Sequence, residues 1–167
     1  MVFDPHVFTE FRFLAAHIDR DTMRVEFDFE LAGNGHSEMF HESLIFTPVR
    51  QGRAVDWPRV EGLVTILGAV LGLSYYKAAA PPRYVISQPG MTQAGVDYLR
   101  EVIAHGLGEF AFRNGLDGLL EPEIVVSSGG ASAFPVEAHL TPEGDPLVPI
   151  GGGKDSVVTV ELLAAAR

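Results

Sequence analysis

The 167-residue chain is 47% hydrophobic and carries 11 Phe, enough apolar side chain to bury a core and too much for a disordered tail. A formal net charge of −10 argues against an unaided nucleic-acid surface, which needs clustered Lys and Arg. The absence of cysteine excludes disulfides, thiolate metal sites and a cysteine nucleophile.

Residues 11–31 read as a β-hairpin. Phe11, Phe13 and Ala15 alternate with polar or small residues, and Val25, Phe27, Phe29 and Leu31 alternate with Glu26, Asp28 and Glu30. Asp19-Arg20-Asp21-Thr22 between them is turn chemistry. After Gly33-Asn34-Gly35, residues 36–46 predict a third strand, so the expectation is an antiparallel sheet with one wet face. His36 and His41 fall on opposite faces of that strand, which is poor spacing for a metal.

Residues 57–73 predict a helix. Leu63, Ile66, Leu67, Val70 and Leu71 keep the i, i+3, i+4 spacing, and Pro58 suits the first turn. A short strand is expected over 83–87. A second helix should run from an N-cap at Thr92 to His105, with Gly106 placed to end it. Ile124-Val125-Val126 is a strand candidate, followed by a small-residue loop over 127–132 that reads as a plain loop or an anion nest. The Pro/Gly-rich stretch 139–145 predicts a boundary between an α+β domain over 1–140 and a second domain opening at 141–167. The longest apolar run, about 62–76, falls short of the roughly 18–20 residues that span a bilayer, and the N-terminus lacks a basic-then-apolar leader. The expectation is a soluble cytoplasmic protein with no membrane partner.

Three segments carry chemistry. The first, Leu73-Ser74-Tyr75-Tyr76-Lys77-Ala78-Ala79-Ala80-Pro81-Pro82, holds one of only two lysines in the chain. Lys77 reads either as a contact for a carboxylate or phosphate with a tyrosine hydroxyl beside it, or as a helix-end lysine favoured by the dipole. The second runs from Gly106 through Glu109, Phe110, Phe112, Arg113 and Asn114 to Gly115. Glu109 and Arg113 share a face at i, i+4, an ordinary surface ion pair unless the flanking aromatics bury it. The third, Pro149-Ile150-Gly151-Gly152-Gly153-Lys154-Asp155-Ser156, precedes the apolar stretch 157–166 and reads as strand end, glycine turn and helix start.

That last arrangement gathers backbone N–H groups around an anion. The three glycines let a phosphate approach, Lys154 adds charge and Ser156 a hydroxyl. Asp155 makes sense as a helix cap or as a holder of Mg²⁺. A Walker A loop does not fit, because Val148 and Asp155 stand where Gly and Ser/Thr belong. The pyrophosphatase-type pattern SGGxDS fits from Gly152 onward, with Gly151 replacing its first Ser. Its sheet is not completed within the last 11 residues, so the expectation is the first strand–loop–helix of an α/β nucleotide-binding domain whose C-terminal part lies beyond this chain. The following helix, with Val157, Val160, Leu163 and Ala164 on one face, is then expected to lack a partner sheet.

In this order, the three segments resemble the N-terminal part of the UDP-N-acetyl-α-D-muramoyl-L-alanyl-L-glutamate epimerase family. The resemblance implies an ATP- and Mg²⁺-dependent enzyme of peptidoglycan synthesis. Its substrate would be a UDP-N-acetylmuramoyl dipeptide whose terminal L-glutamate is inverted through an acyl adenylate. Gly152, Gly153, Lys154, Asp155 and Ser156 carry over as the ATP loop, with Gly151 a variant first position and Asp155 the metal-binding candidate. By residue chemistry, Lys77 and Arg113 are expected to contact substrate anions, with Asn114 beside them. Tyr75, Tyr76 and Glu109 are candidates for proton transfer. The same loop also suits another adenylating ligase or a thiolating enzyme, and the fragment alone suits a non-catalytic recognition module.

Overall fold

A computed structural model describes residues 4–46, 55–116, 118, 120–126, 151 and 153–165 of the chain. The chain divides into two compact units, Met1–Phe134 and Pro135–Arg167. The expected loop over 127–132, the linker over 139–145, Pro149, Ile150 and Gly152 lie outside the described residues.

In the first unit a 3-10 turn, Pro5–Val7, leads into β1 (Glu10–Asp19), β2 (Arg24–Gly33) and β3 (His36–Ile45). The three pair in sequence order as an antiparallel meander, as the alternation predicts. Phe11, Phe13, Phe27, Phe29 and Leu31 are fully buried on one face. Phe29 stands 5.8 Å from Phe11 and 5.4 Å from Phe13, ring to ring. Burying each such side chain contributes about 1.5–3 kcal/mol, so this cross-strand aromatic strip anchors the core.

Ala15 departs from the expected alternation. Phe13 pairs with Phe29, but Ala15 pairs with Asp28 and Ala16 with Phe27, so a bulge lies between Phe13 and Ala15. The extra residue flips the phase of the strand. Beyond it Ala16 and Ile18, not Ala15, pack on the core. The bulge also releases the Ala16 N–H from the ladder, and it donates to Gln88 Oε1 at 2.7 Å.

The sheet continues past the meander. β4 (Arg83–Ile86) pairs parallel to β1, and β5 (Glu123–Val126) parallel to β4, giving the order β3-β2-β1-β4-β5. The sheet is therefore mixed, because the last two strands each follow a helical crossover, which parallel pairing requires. α1 (Trp57–Leu71) and α2 (Leu73–Tyr76) precede β4; α3 (Gln93–Gly106) and α4 (Gly108–Asn114) precede β5. Asp56 caps α1 by accepting from the Arg59 N–H, and Thr92 caps α3 by accepting from the Gly95 N–H. The single helix expected over 57–73 is interrupted at Gly72, whose carbonyl accepts from the Tyr75 and Tyr76 N–H groups at 3.0 and 2.9 Å. Gly106 closes α3 as its last residue, while the left-handed glycine cap falls at Gly115, φ 63°, after α4.

The outer face is polar. Arg12 bridges Glu10 and Glu30, and Arg83 bridges Glu10 and Glu123, so a chain of ion pairs crosses β2, β1, β4 and β5. No helix among the described residues is long and apolar enough to cross a membrane. In the second unit α5 (Lys154–Ala165) has no buried residue, and Val157 and Val160 are exposed.

Candidate functional site

The segment from Leu73 to Pro82 ends a helix and turns the chain into β4. The tyrosine pair splits between two tasks. Tyr76 is fully buried and its hydroxyl donates to the Pro81 carbonyl at 3.1 Å. Burial pushes that hydroxyl up to about 12. Its ring packs on Phe11 and Tyr84, 6.0 and 5.6 Å between centroids, and Tyr84 in turn donates to the Ala69 carbonyl at 2.7 Å. Tyr76 thus locks the α2–β4 connection, and Ala80 completes the turn at φ 48°, a conformation unusual for a residue with a Cβ.

Tyr75 faces the other way. Its hydroxyl donates to Glu42 Oε2 at 2.8 Å, and its ring stacks on Phe40 at 4.8 Å. The Glu42 carboxylate, with burial second, holds the phenol above its ordinary range. Glu42 was not singled out from the sequence. The signal is its place in the Phe40-Glu42-Leu44 alternation on β3, where Phe40 and Leu44 pack on the core and a carboxylate stands between them opposite Phe27.

Lys77 caps α2, and its Nζ lies 5.8 Å from the centre of the Phe110 ring on α4. The fold therefore brings the first two sequence segments together through a cation–aromatic contact. Glu109 and Arg113 form the expected i, i+4 pair at 2.9 Å. Burial by flanking aromatics does not occur: the side chains of Arg113 and Glu109 are 72% and 77% exposed, and Phe112 is 89% exposed. The reason is helical geometry, since in α4 only Ala111 is buried and Phe112 projects away from it. Asn114 donates from Nδ2 to the Phe110 carbonyl at 2.8 Å, closing the helix end beneath the ring that Lys77 touches.

In the second unit, Gly151, Gly153, Lys154 and Asp155 are exposed and α5 starts at Lys154, as the glycine-turn reading expects. The Gly151 N–H donates to Ser156 Oγ at 3.2 Å, so the turn folds back on the first helical residues. A Cβ built on Gly151 or Gly153 would meet no atom within 4 Å, which leaves the backbone approachable at both positions. Among the described residues no three His, Asp or Glu side chains cluster as a metal site, so Asp155 is a single carboxylate.

The family model described as the MurL N-terminal domain matches residues 2–167. Three curated proteins named UDP-N-acetyl-alpha-D-muramoyl-L-alanyl-L-glutamate epimerase are similar. That of Micromonospora sp. is 33% identical over 157 residues, covering 93% of this chain and 34% of that protein. That of Xanthomonas oryzae pv. oryzae is 32% identical over 169 residues, 98% of this chain and 35% of that protein. That of Salinispora tropica is 33% identical over 157 residues, 92% of this chain and 33% of that protein. The chain thus spans only 33–35% of the length of these relatives. No solved structure gives a significant match. With a family match that runs across both compact units, the chain belongs to the MurL N-terminal domain family.

Proposed function

We propose that this chain is the N-terminal part of a cytoplasmic, ATP- and Mg²⁺-dependent epimerase of peptidoglycan precursor synthesis. It would invert the terminal L-glutamate of UDP-N-acetylmuramoyl-L-alanyl-L-glutamate to D-glutamate. The observation that carries the reading is the likeness, over 92–98% of this chain, to three proteins named for that substrate and reaction.

The chemistry sets the requirements. Removing the Cα proton beside an ionised carboxylate would pile charge on charge, so the α-carboxylate must first be neutralised. ATP, as co-substrate, supplies an adenylyl group for this and leaves pyrophosphate. On this reading the exposed backbone at Gly151 and Gly153, together with Gly152, Lys154 and Ser156 of the same loop, binds its phosphates at the start of α5. Asp155 would offer a carboxylate to Mg²⁺, which would offset the phosphate charge.

Lys77 and Arg113 are the cations offered to substrate anions, with Asn114 at the same helix end. Tyr75, half-buried, suits a hydrogen-bond or proton-transfer role once its hydroxyl exchanges Glu42 for substrate. Glu109, exposed and ionisable, suits the role of base. Tyr76 is assigned to structure, since its hydroxyl is enclosed and already donated.

The test is the complete gene product that carries this chain, incubated with the muramoyl dipeptide, ATP and Mg²⁺ in deuterated water. AMP release with deuterium at the glutamate Cα and D-glutamate after hydrolysis is the expected result. AMP without label or inversion would point to a ligase-type acceptor, and no ATP turnover would leave a recognition module.

A further inference from the structure

α1 presents apolar side chains in two opposite directions. From Gly62 to Tyr76 the chain holds no charged residue, so no side of the helix is built for water. One side is accounted for: Gly62, Thr65, Gly68 and Ala69 are buried, Gly68 against Phe13 and Phe27. Leu63, Leu67 and Val70 each stand two residues from one of these, which places them across the helix axis. Leu63 is 59% exposed there, and Val60, Leu67 and Val70 are partly exposed.

α3 sets the standard for a solvent-facing helix in this fold. It packs beside α1, with Ile66 against Gly95. Its exposed side carries Asp97, Arg100, Glu101 and His105, tied into i, i+3 and i, i+4 ion pairs. Two helices packed side by side therefore end in opposite surfaces, one charged and one apolar.

The spacing and the area say what covers the apolar one. Val60, Leu63, Leu67 and Val70 follow 3-4-3 steps, the seam that packs against a second helix. At 1.5 Å per residue and a helix width near 10 Å, that seam offers roughly 150 Å². A free partner needs about 800 Å² on each side for a stable complex. A tethered helix does not, because tethering supplies an effective concentration in the millimolar range. Two copies of this chain would also bring together formal charges of −10 each, which repel. The chain spans only 33–35% of the length of its curated relatives, so a tethered partner of ample size belongs to the same polypeptide. The next step of the seam is Ser74, exposed on α2 beside Tyr75. A helix on the seam thus reaches the segment that holds Tyr75 and Lys77.

We propose that the outward side of α1 is the docking seam for an apolar helix from the part of the complete protein beyond this chain, held through Leu63, Leu67 and Val70. That such a part exists rests on the reading of this chain as a portion of a longer epimerase; the apolar seam does not.

Thiol labelling tests it, because the chain has no cysteine of its own. Leu63→Cys and, on the polar side of α3, Tyr98→Cys are made separately in the 167-residue chain and in the complete gene product. The parent side chains are 59% and 54% exposed, so neither change threatens the fold. Mass spectrometry of the peptide carrying each new thiol reads its rate of reaction with N-ethylmaleimide. At position 63 the rate should fall at least tenfold in the complete protein, with position 98 unchanged. Equal rates at position 63 in the two proteins overturn the proposal, and so does an equal fall at position 98. Slow labelling in the 167-residue chain that quickens on dilution would give the seam to a second copy and overturn it too. Protection at position 63 in a complete protein that never inverts glutamate would keep the seam and sink the epimerase reading. Inversion without protection would do the reverse.

Discussion

The Tyr75 hydroxyl is tied to Glu42 Oε2 at 2.8 Å, and this bond fastens the end of α2 to the edge strand β3. Its electrostatic consequence can be read directly. Tyr75 is raised above the ordinary tyrosine range first by the Glu42 hydrogen bond and then by burial. A raised group lends stability that is fully present below its unfolded pKa, near 10, and is lost as pH rises through the higher folded value. Glu42→Gln should therefore bring one tyrosine back toward 10 in an ultraviolet pH titration and cost about 1 kcal/mol at neutral pH. An unchanged titration curve would mean that the pair does not persist in solution.

Helix α1 rests on the aromatic strip through two glycines. A Cβ at Gly68 would overlap the Phe13 ring, and one at Gly72 would stand 2.6 Å from the Tyr84 hydroxyl. Gly→Ala within an exposed helix ordinarily gains up to about 1 kcal/mol, but overpacking a core costs about 1–3 kcal/mol. Gly68→Ala should thus destabilise by about 1–2 kcal/mol in urea unfolding. At Gly108, where a Cβ meets nothing within 4 Å, the same change should be neutral or stabilising. Equal effects at the two positions would show that the helix does not seat as closely as described.

The period-two runs in β1 and β2 were legible because each strand has one wet and one dry face. In α1 the helix was legible but its buried face was not: Leu63 of the expected stripe is 59% exposed, and the buried positions are Gly62, Val64, Thr65, Gly68 and Ala69, where small residues let the helix approach the aromatic strip. The bulge after Phe13 was not, since an extra residue leaves no mark on composition and shows only when Ala16 is found opposite Phe27. Nor was the parallel pairing of Arg83–Ile86 with β1, which depends on where a crossover returns. Of the candidate site, the approach of Lys77 to Phe110 had no local signal, because the two are 33 residues apart. Glu42 had one, a carboxylate in an inward phase of β3.

His41 faces Asp28 across β2 and β3 at 2.8 Å, and that hydrogen bond raises the imidazole above 6.5. The sign follows from the raised value: the pair stabilises the fold below pH 6.5 and its contribution is lost as pH rises through the folded pKa. Asp28→Asn should lower the His41 midpoint in an NMR titration toward 6.5. Because the imidazole is solvent-exposed, the effect on global stability should be small and should shrink in added salt. A midpoint indifferent to Asp28→Asn would remove the pair from the solution structure.

Lys77 and Arg113 separate structural from functional roles, because the contacts each makes within the protein are weak. The Lys77 contact with Phe110 contributes about 0.5–1 kcal/mol, and an exposed i, i+4 pair such as Glu109–Arg113 about 0.3–0.5 kcal/mol. Lys77→Met and Arg113→Gln should therefore leave the melting temperature within a few degrees of the parent. If either cation holds a substrate anion, the complete enzyme should lose at least tenfold in kcat/KM, since a charged hydrogen bond is worth about 1.5–3 kcal/mol. Phe110→Leu serves as the control, removing the ring beneath Lys77 while keeping both charges. Loss of activity in Phe110→Leu as large as in Lys77→Met would assign Lys77 a positioning role. Full activity in Lys77→Met would take the lysine out of the site altogether.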